Sequence, residues 1–367
     1  MPNILHFGAL KSINLGVKNQ LDFEILAAQK SGANHAVVYF SHTRPDRKYM
    51  MQPSKPPLWL KFILSKKLIN YFNLRIKAYS WLIKNQNNFD VIMIRYPLGD
   101  IVFPFLCLFV APFYTIHHTK EIPEINSKQG LIFRIQLVIE RFQFQLVKNR
   151  ARGFIGVTNE IAEYQLQRSR SVKNVAIYPN GTLSNQIDIK DYRNGHAKLC
   201  CICNDEAPWH GLQEIYEEVD KIDRHDFKIY FVGNLPSAPK KLQLDPRINF
   251  TGYLEQQELE DLLAKIDLCI GPFGLSMKDL HEACPLKTRE SFKHGIPVMA
   301  DYRDPCFDKS FPHFFQSKFY LDAAIEFAIK NREYRKKEIA EASEKHISKD
   351  ILYSRLLRFI TSNDNLR

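Results

Sequence analysis

The chain has 367 residues, 45% of them hydrophobic and 25% charged, which is ordinary globular material and length enough for about two domains, each with its own core. Seven cysteines, an odd number scattered along the chain, are not the framework of a disulfide-stapled fold. The net charge of +11 admits nucleic acid, anionic lipid or phosphorylated substrates as partners, and its distribution narrows the choice.

In chain order, Met1 to Ala9 run straight into an apolar segment without the basic lead and long apolar stretch of a secretory signal, so a cytoplasmic chain is expected. From Arg47 to Phe89 there is no Asp or Glu, while Arg47, Lys48, Lys55, Lys61, Lys66, Lys67, Arg75, Lys77 and Lys84 are interleaved with Trp59, Phe62, Tyr71, Phe72 and Trp81. That is the composition of a helix lying in a membrane interface, each cation adding on the order of 1 kcal/mol near an anionic leaflet. It is equally that of a solvated helix whose apolar face joins the core. Nucleic acid is not expected as a partner, because no reading helix, zinc-finger spacing or RNA-binding signature accompanies the charge. The apolar run 101–116 contains Pro104 and Pro112 and falls short of the roughly 20 residues of a spanning helix, so it reads as a core helix and strand.

Short β-rich runs alternate with helical patterns along the chain, and the alternation occurs twice, which predicts an α/β protein with two parallel sheets. The expected strands are 3–9, 35–40, 90–95, 113–117, 153–157 and 174–178, then 198–203, 228–232, 248–251, 268–271 and 297–300. A polar stretch, 183–197, reads as the interdomain linker, and the active site is expected in the cleft it spans, beyond the carboxyl ends of the strands. Cys200, Cys201 and Cys203 fall in a strand and read as buried reduced thiols, since a strand sends alternate side chains to opposite faces. A basic, helix-rich tail runs from Ala323 to the end.

The most informative stretch is 267–298, read as strand, loop, helix, stop and strand. Pro285 suits the first helical position and Gly295 the residue past the end, giving a helix of about ten residues. Its N-terminus points unpaired amides and a partial positive charge at a ligand, and Lys287 in the first turn adds a full charge: an anion site of diphosphate size. Glu290, one and a half turns in, can accept from vicinal hydroxyls such as those of a ribose. Glu282, in the preceding loop, can face a hexose hydroxyl.

Glu282 and Glu290, with Pro285-Leu286-Lys287 between them and Gly295-Ile296-Pro297-Val298 after them, resemble the Glu-x7-Glu motif of retaining GT-B glycosyltransferases, especially glycosyltransferase family 4. The resemblance extends over most of the chain. The segment 153–164 looks like the last full strand and following helix of the N-terminal domain. Pro179-Asn180-Gly181 looks like the turn at the domain crossing, where Asn-Gly permits a left-handed backbone, or is simply a tight turn. Pro208-Trp209-His210-Gly211-Leu212 occupies the start of the first helix of the donor domain, where the family places Lys-Gly and pairs that Lys with an Arg of the preceding strand. Here His210 stands at the Lys position and the strand runs out through Cys203 and Asn204 without Arg, so either phosphate binding falls to Lys287, the helix N-terminus and His210, with Pro285, Leu286 and Asn204 beside them, or the site has lost activity.

By the same resemblance Val232-Gly233 and Thr251-Gly252-Tyr253-Leu254 line the nucleobase, and Leu15-Gly16-Val17 is the loop whose amides approach the transferred sugar's phosphate. It is not a dinucleotide fingerprint. His117 and His118 fall where the family keeps acceptor- and sugar-facing residues, His118 being the stronger candidate for catalysis; one packed and one solvated histidine is the alternative. Arg95 and Tyr96 could bind an acceptor phosphate. No Asp-x-Asp occurs, and the family needs no metal clamp, since a helix dipole with cations neutralises the leaving diphosphate.

The resemblance thus implies a GT-B fold of two Rossmann-like domains with parallel sheets facing a cleft. Residues 1–182 would bind acceptor, 183–345 nucleotide-sugar, and 346–367 would form a helix returning to the first domain. The implied activity is retaining, metal-independent hexosyl transfer, without cofactor, from a nucleotide-sugar to a glycan or lipid-linked acceptor. The cytoplasmic membrane face, in surface polysaccharide synthesis, is its expected setting. A glycosidase is not expected, since its two carboxylates must flank the scissile bond. A nucleotide-sugar epimerase of the same architecture and a non-catalytic nucleotide-sugar-binding protein are the alternatives.

Overall fold

The structure, a computed structural model, describes residues 1–55, 65–171, 173–183, 188–203 and 206–363. The chain divides into two compact units, Met1–Tyr178 with Leu352–Arg367, and Pro179–Ile351.

In the first unit seven strands form one sheet: β1 (Ile4–Leu10), β2 (His35–Ser41), β3 (Met50–Met51), β4 (Val91–Arg95), β5 (Phe113–His117), β6 (Ala151–Gly156) and β7 (Asn174–Ile177). Their order is β3-β2-β1-β4-β5-β6-β7, every pair parallel, so the chain reverses direction of travel between β1 and β4. The connecting helices are α1 (Leu15–Lys30), α2 (Lys66–Asn85), α3 (Phe103–Leu106), α4 (Glu121–Asn126), α5 (Leu131–Arg150) and α6 (Asn159–Ser169). Asn14, Ser65 and Thr158 cap α1, α2 and α6, each accepting from an amide of the first turn. One face of the sheet, through Phe7, Ile94 and Phe154, packs on Leu74 and Tyr79 of α2, Phe103 of α3 and Phe144 of α5. The apolar face of α2 therefore joins the core: Ile69, Leu74, Ala78, Tyr79 and Leu82 are buried. Of the basic, aromatic segment, Trp59, Lys61 and Phe62 lie outside the described residues.

The second unit repeats the scheme with β8 (Ala197–Ile202), α7 (Leu212–Lys221), β9 (Phe227–Val232), α8 (Lys240–Gln243), β10 (Ile248–Gly252), α9 (Gln256–Leu263) and β11 (Leu268–Ile270). It continues with α10 (Leu286–Lys293), β12 (Val298–Ala300), β13 (Phe314–Gln316), α11 (Leu321–Lys330), α12 (Lys336–Ile347) and α13 (Lys349–Asn363). The sheet order is β10-β9-β8-β11-β12-β13, again parallel throughout, with the reversal between β8 and β11. Leu212, Ile215, Tyr216 and Val219, spaced to one side of α7, are buried with Phe227, Ile229 and Phe231.

All expected strands are present, each within two residues of its expected bounds. The edge strands β3 and β13 were not expected; at two and three residues they are too short to leave a hydrophobic run. Of the stretch read as linker, 184–187 lie outside the described residues, and 188–197 are held within the second unit: Tyr192 donates to the Ala264 carbonyl (2.9 Å), and Arg193 reaches the carbonyls of Asn331 (3.2 Å) and Tyr334 (2.6 Å). All seven cysteines are free and buried. Beyond Ile351, α13 belongs to the first unit, where the Tyr353 hydroxyl meets His35 Nδ1 at 3.0 Å and Phe359 lies edge-on to Tyr114.

Candidate active site

In an open parallel sheet a ligand site forms where the chain reverses, because two loops leave the strand ends in opposite directions. In the second unit that point lies beyond Ile202 and Ile270. After β8 the chain makes a turn, Pro208–His210, and enters α7 through Gly211, whose φ of 67° is left-handed. A β-carbon there would stand 2.6 Å from the Phe273 side chain, so the glycine meets both a backbone and a space requirement. The loop after β11 is zipped to the same turn: Phe273 N donates to His210 O (3.2 Å) and Gly274 N to Trp209 O (3.1 Å). His210 is thereby fixed from both sides.

Helix α10 opens at Leu286 behind Pro285, which stands at the N-cap without a side-chain cap, and runs eight residues rather than about ten. Its first-turn amides are the orphan donors of any helix start. Lys287 reaches back to the end of β8, donating to the Ile202 carbonyl at 3.1 Å, with His210 Nδ1 at 3.2 Å and Cys203 Sγ at 3.8 Å. An ammonium only donates, so Nδ1 accepts. A hydrogen bond between Cys203 and Cys201 (Sγ to Sγ 3.5 Å), joined by His210 and Lys287, holds the Cys203 thiol below the ordinary thiol range although burial opposes this. A small cavity here is lined by Ile202, Ile270, Gly271, Lys287, Thr288 and Ser291, among others. Lys287, His210 and the start of α10 are brought together as expected; Asn204 lies outside the described residues.

The two glutamates are held differently. Glu282 is buried and ion-paired with Arg303, and the two also pair through their backbones: Ala283 N donates to Arg303 O (3.1 Å) and Arg303 N to His281 O (2.8 Å). Glu290 is 35% exposed and accepts from His294 Nε2 at 3.0 Å. Burial opposes its ionisation, yet His294 and Lys293 bring its carboxyl below the ordinary value.

Four residues outside the expected set anchor α10: Arg289 with Asp304, and Thr288 with Tyr302. Arg289, 1% exposed, forms a two-pronged pair with Asp304 (2.5 and 2.9 Å) and donates through Nε to Asn180 O (2.7 Å). Thr288 meets the buried Tyr302 hydroxyl at 2.6 Å. Nothing in the local sequence marks Arg289 as buried, and its partner follows fifteen residues later. Asp301, just after β12, was also missed; burial pushes its carboxyl up to about 6.

Several candidates occupy other roles than those expected. Asn180 gives its amide to the Cys284 carbonyl (2.9 Å), so it braces the loop before α10, and neither Asn180 nor Gly181 adopts a left-handed backbone. Leu15, Gly16 and Val17 form the first turn of α1 instead of a loop, and the Val17 amide is taken by the Asn14 cap at 2.9 Å. Tyr96 and His117 are core residues. Tyr96 donates to Glu140 (3.0 Å), while His117 lies between Glu121 (2.6 Å) and Thr115 (2.8 Å) and stacks on Tyr96. His117 faces inward because a central strand buries both sheet faces, and Tyr96, the residue after β4, stacks on it. His118, next in the chain, is exposed, and Arg95 ends β4 half-buried, hydrogen-bonded to Tyr39. Gly233 and Gly252 join the loops after β9 and β10 (2.8 Å), leaving Tyr253 exposed and Leu254 half-buried.

Residues 196–304, which carry His210, Glu282, Lys287 and Glu290, match a protein family described as glycosyl transferases group 1. No curated protein matches the chain in sequence. Among solved structures, a lipopolysaccharide outer core galactosyltransferase, WaaB, superposes with a TM-score of 0.65 at 10% identity, over 98% of this chain and 99% of that one. HepE of Anabaena, in complex with UDP and glucose, gives 0.61 at 12% identity over 99% and 100%. The catalytic domain of starch synthase IV from Arabidopsis thaliana, bound to ADP and acarbose, gives 0.63 at 12% over 99% of each. The fold is GT-B. Identities this low speak to the GT-B fold alone, and the matched family segment covers the second unit's site without reaching the first unit.

Proposed function

We propose that this protein is a glycosyltransferase that moves a hexose from a nucleotide-sugar onto a glycan or lipid-linked glycan acceptor. The observation that carries the reading is Lys287, held at the end of β8 beside His210 and at the start of α10, inside the segment that matches glycosyl transferases group 1. In this reading the ammonium, the first-turn amides and His210 stabilise the charge that develops on the departing nucleoside diphosphate. No metal is required for that neutralisation. Glu290 accepts from the ribose hydroxyls, and Glu282, oriented by Arg303, fixes the sugar. Transfer proceeds with retention, the departing phosphate taking the acceptor's proton, so no side chain is assigned as general base. His118 and Arg95 serve the acceptor in the first unit, and cytoplasmic assembly of surface polysaccharide is the setting.

The test is release of nucleoside diphosphate from UDP-, GDP-, ADP- and dTDP-sugars. One donor should be hydrolysed slowly. Lys287→Ala should lower that turnover about a hundredfold or more, and Glu290→Ala should chiefly raise KM. Interconversion of donor epimers without transfer would favour an epimerase. Donor binding by thermal shift without turnover would favour a binding protein, and neither binding nor turnover would end the reading.

A further inference from the structure

Helix α5 buries Glu140, Gln143, Phe144 and Val147. Its opposite side exposes Leu131 (72%), Ile135 (53%), Val138 (66%) and Phe142 (48%), spaced four, three and four residues apart and so forming one continuous stripe. The Phe142 ring meets that of Phe105 on α3 (centroids 5.9 Å apart), which extends the apolar surface to Phe109, 66% exposed. A clustered surface of this kind marks a contact with something apolar, unlike single scattered hydrophobic residues.

Along the segments that carry it, the exposed charge is positive. From residue 101 to residue 158 the sequence holds three carboxylates, Glu121, Glu124 and Glu140. Glu121 and Glu140 are buried on Arg168, and Glu124 is half-buried beside Lys128 (3.5 Å). Arg134 and Arg141 are exposed along the stripe. The neighbouring α2, which shares the core under α3 and α5, comes from the segment without any Asp or Glu and exposes Lys66, Lys67, Lys77 and Lys84. A second copy related by a two-fold axis would set these cations against their own equivalents, which is repulsive. A surface of acyl chains under anionic headgroups matches both the apolar stripe and the cations.

We propose that the α3–α5 surface of the first unit docks on an anionic lipid bilayer, with the stripe at the acyl boundary and Arg134 and Arg141 at the headgroups. No helix of the described residues is long and apolar enough to cross a membrane, so α5 would lie in the interface plane. The sequence pointed to the basic, aromatic segment 55–84 for this role; the structure buries Ile69, Leu74, Ala78, Tyr79 and Leu82 of α2, leaves Leu68 and Ile76 exposed, and presents the longer apolar stripe on α5. The inference does not rest on the proposed transfer, since binding is read without donor or acceptor, and a protein silent towards every nucleotide-sugar could still meet this test.

The experiment is co-sedimentation of the full chain with vesicles of phosphatidylcholine alone or mixed with phosphatidylglycerol. The chain should sediment with the mixed vesicles, and less in high salt or with phosphatidylcholine alone. Ile135→Glu/Val138→Glu should lower the partition coefficient more than about tenfold. Arg134→Gln/Arg141→Gln should lower it by about fivefold per charge on anionic vesicles only. Circular dichroism and sedimentation velocity of each variant check folding and oligomeric state. If the apolar pair unfolds, the arginine pair alone decides. Failure to bind the mixed vesicles would overturn the proposal, as would unchanged binding by the folded variants, or a wild-type dimer that the stripe variant dissociates while neither sediments.

Discussion

Lys287 is oriented by a carbonyl, an imidazole and a thiol, groups that place an ammonium without the grip of a carboxylate. Its neighbour Arg289 is the opposite case, a guanidinium fully buried and matched by Asp304, which raises its pKa although burial opposes the charge. Removing one partner of such a pair leaves the other buried and unpaired. Arg289→Met should therefore destabilise the protein by about 3–5 kcal/mol in urea denaturation, and adding Asp304→Leu should recover much of the loss. Full stability in Arg289→Met would mean that the pair contributes nothing to anchoring α10. Lys287, His210, Glu282 and Glu290 were legible because each stands at a fixed offset from Pro285, Gly211 or Gly295. Arg303 and Asp304 were not, because their meaning lies in contacts across the loop after β12.

At the scale of elements, α10 ends where the sequence places its stop. Gly295 has a φ of 66°, and a β-carbon there would collide with the Lys336 carbonyl of α12. Gly295→Ala thus carries both a left-handed strain and a steric clash, and should cost about 2 kcal/mol or more, read as a fall in Tm. Gly32→Ala, where φ is 69° but the space is open, should cost only the strain and so noticeably less. Equal losses at the two positions would show that the Lys336 contact is irrelevant. Strands were legible for a simple reason: buried parallel strands are continuous apolar runs. Helix α2 was ambiguous, because amphipathicity identifies two faces without saying what covers the apolar one.

Across the molecule, α13 brings the end of the chain back to the first unit, where Tyr353 bonds His35. His35 and His6 flank Glu24 at 2.9 and 2.8 Å, and Tyr39 meets the far nitrogen of His6 (2.8 Å). Burial raises the Glu24 pKa, but the charge of His6 and hydrogen bonds from both histidines outweigh it and hold the carboxyl well below its ordinary value. A depressed carboxyl stabilises the fold above its unfolded value of about 4.3, and that stability is lost as pH falls through the lower folded value. Acid denaturation below about pH 4 should accordingly be steeper for the wild type than for Glu24→Gln; parallel curves would remove Glu24 from the account. By itself the sequence determined the alternation of strand and helix, the parallel sheets and the frame from Pro285 to Gly295, since these follow from local periodicity and backbone geometry. The tertiary structure alone decided which of two adjacent histidines is buried, which partner holds Glu282, and that α5 presents a continuous apolar stripe. Those outcomes depend on which side chains the sheet's two faces bring together from distant parts of the chain.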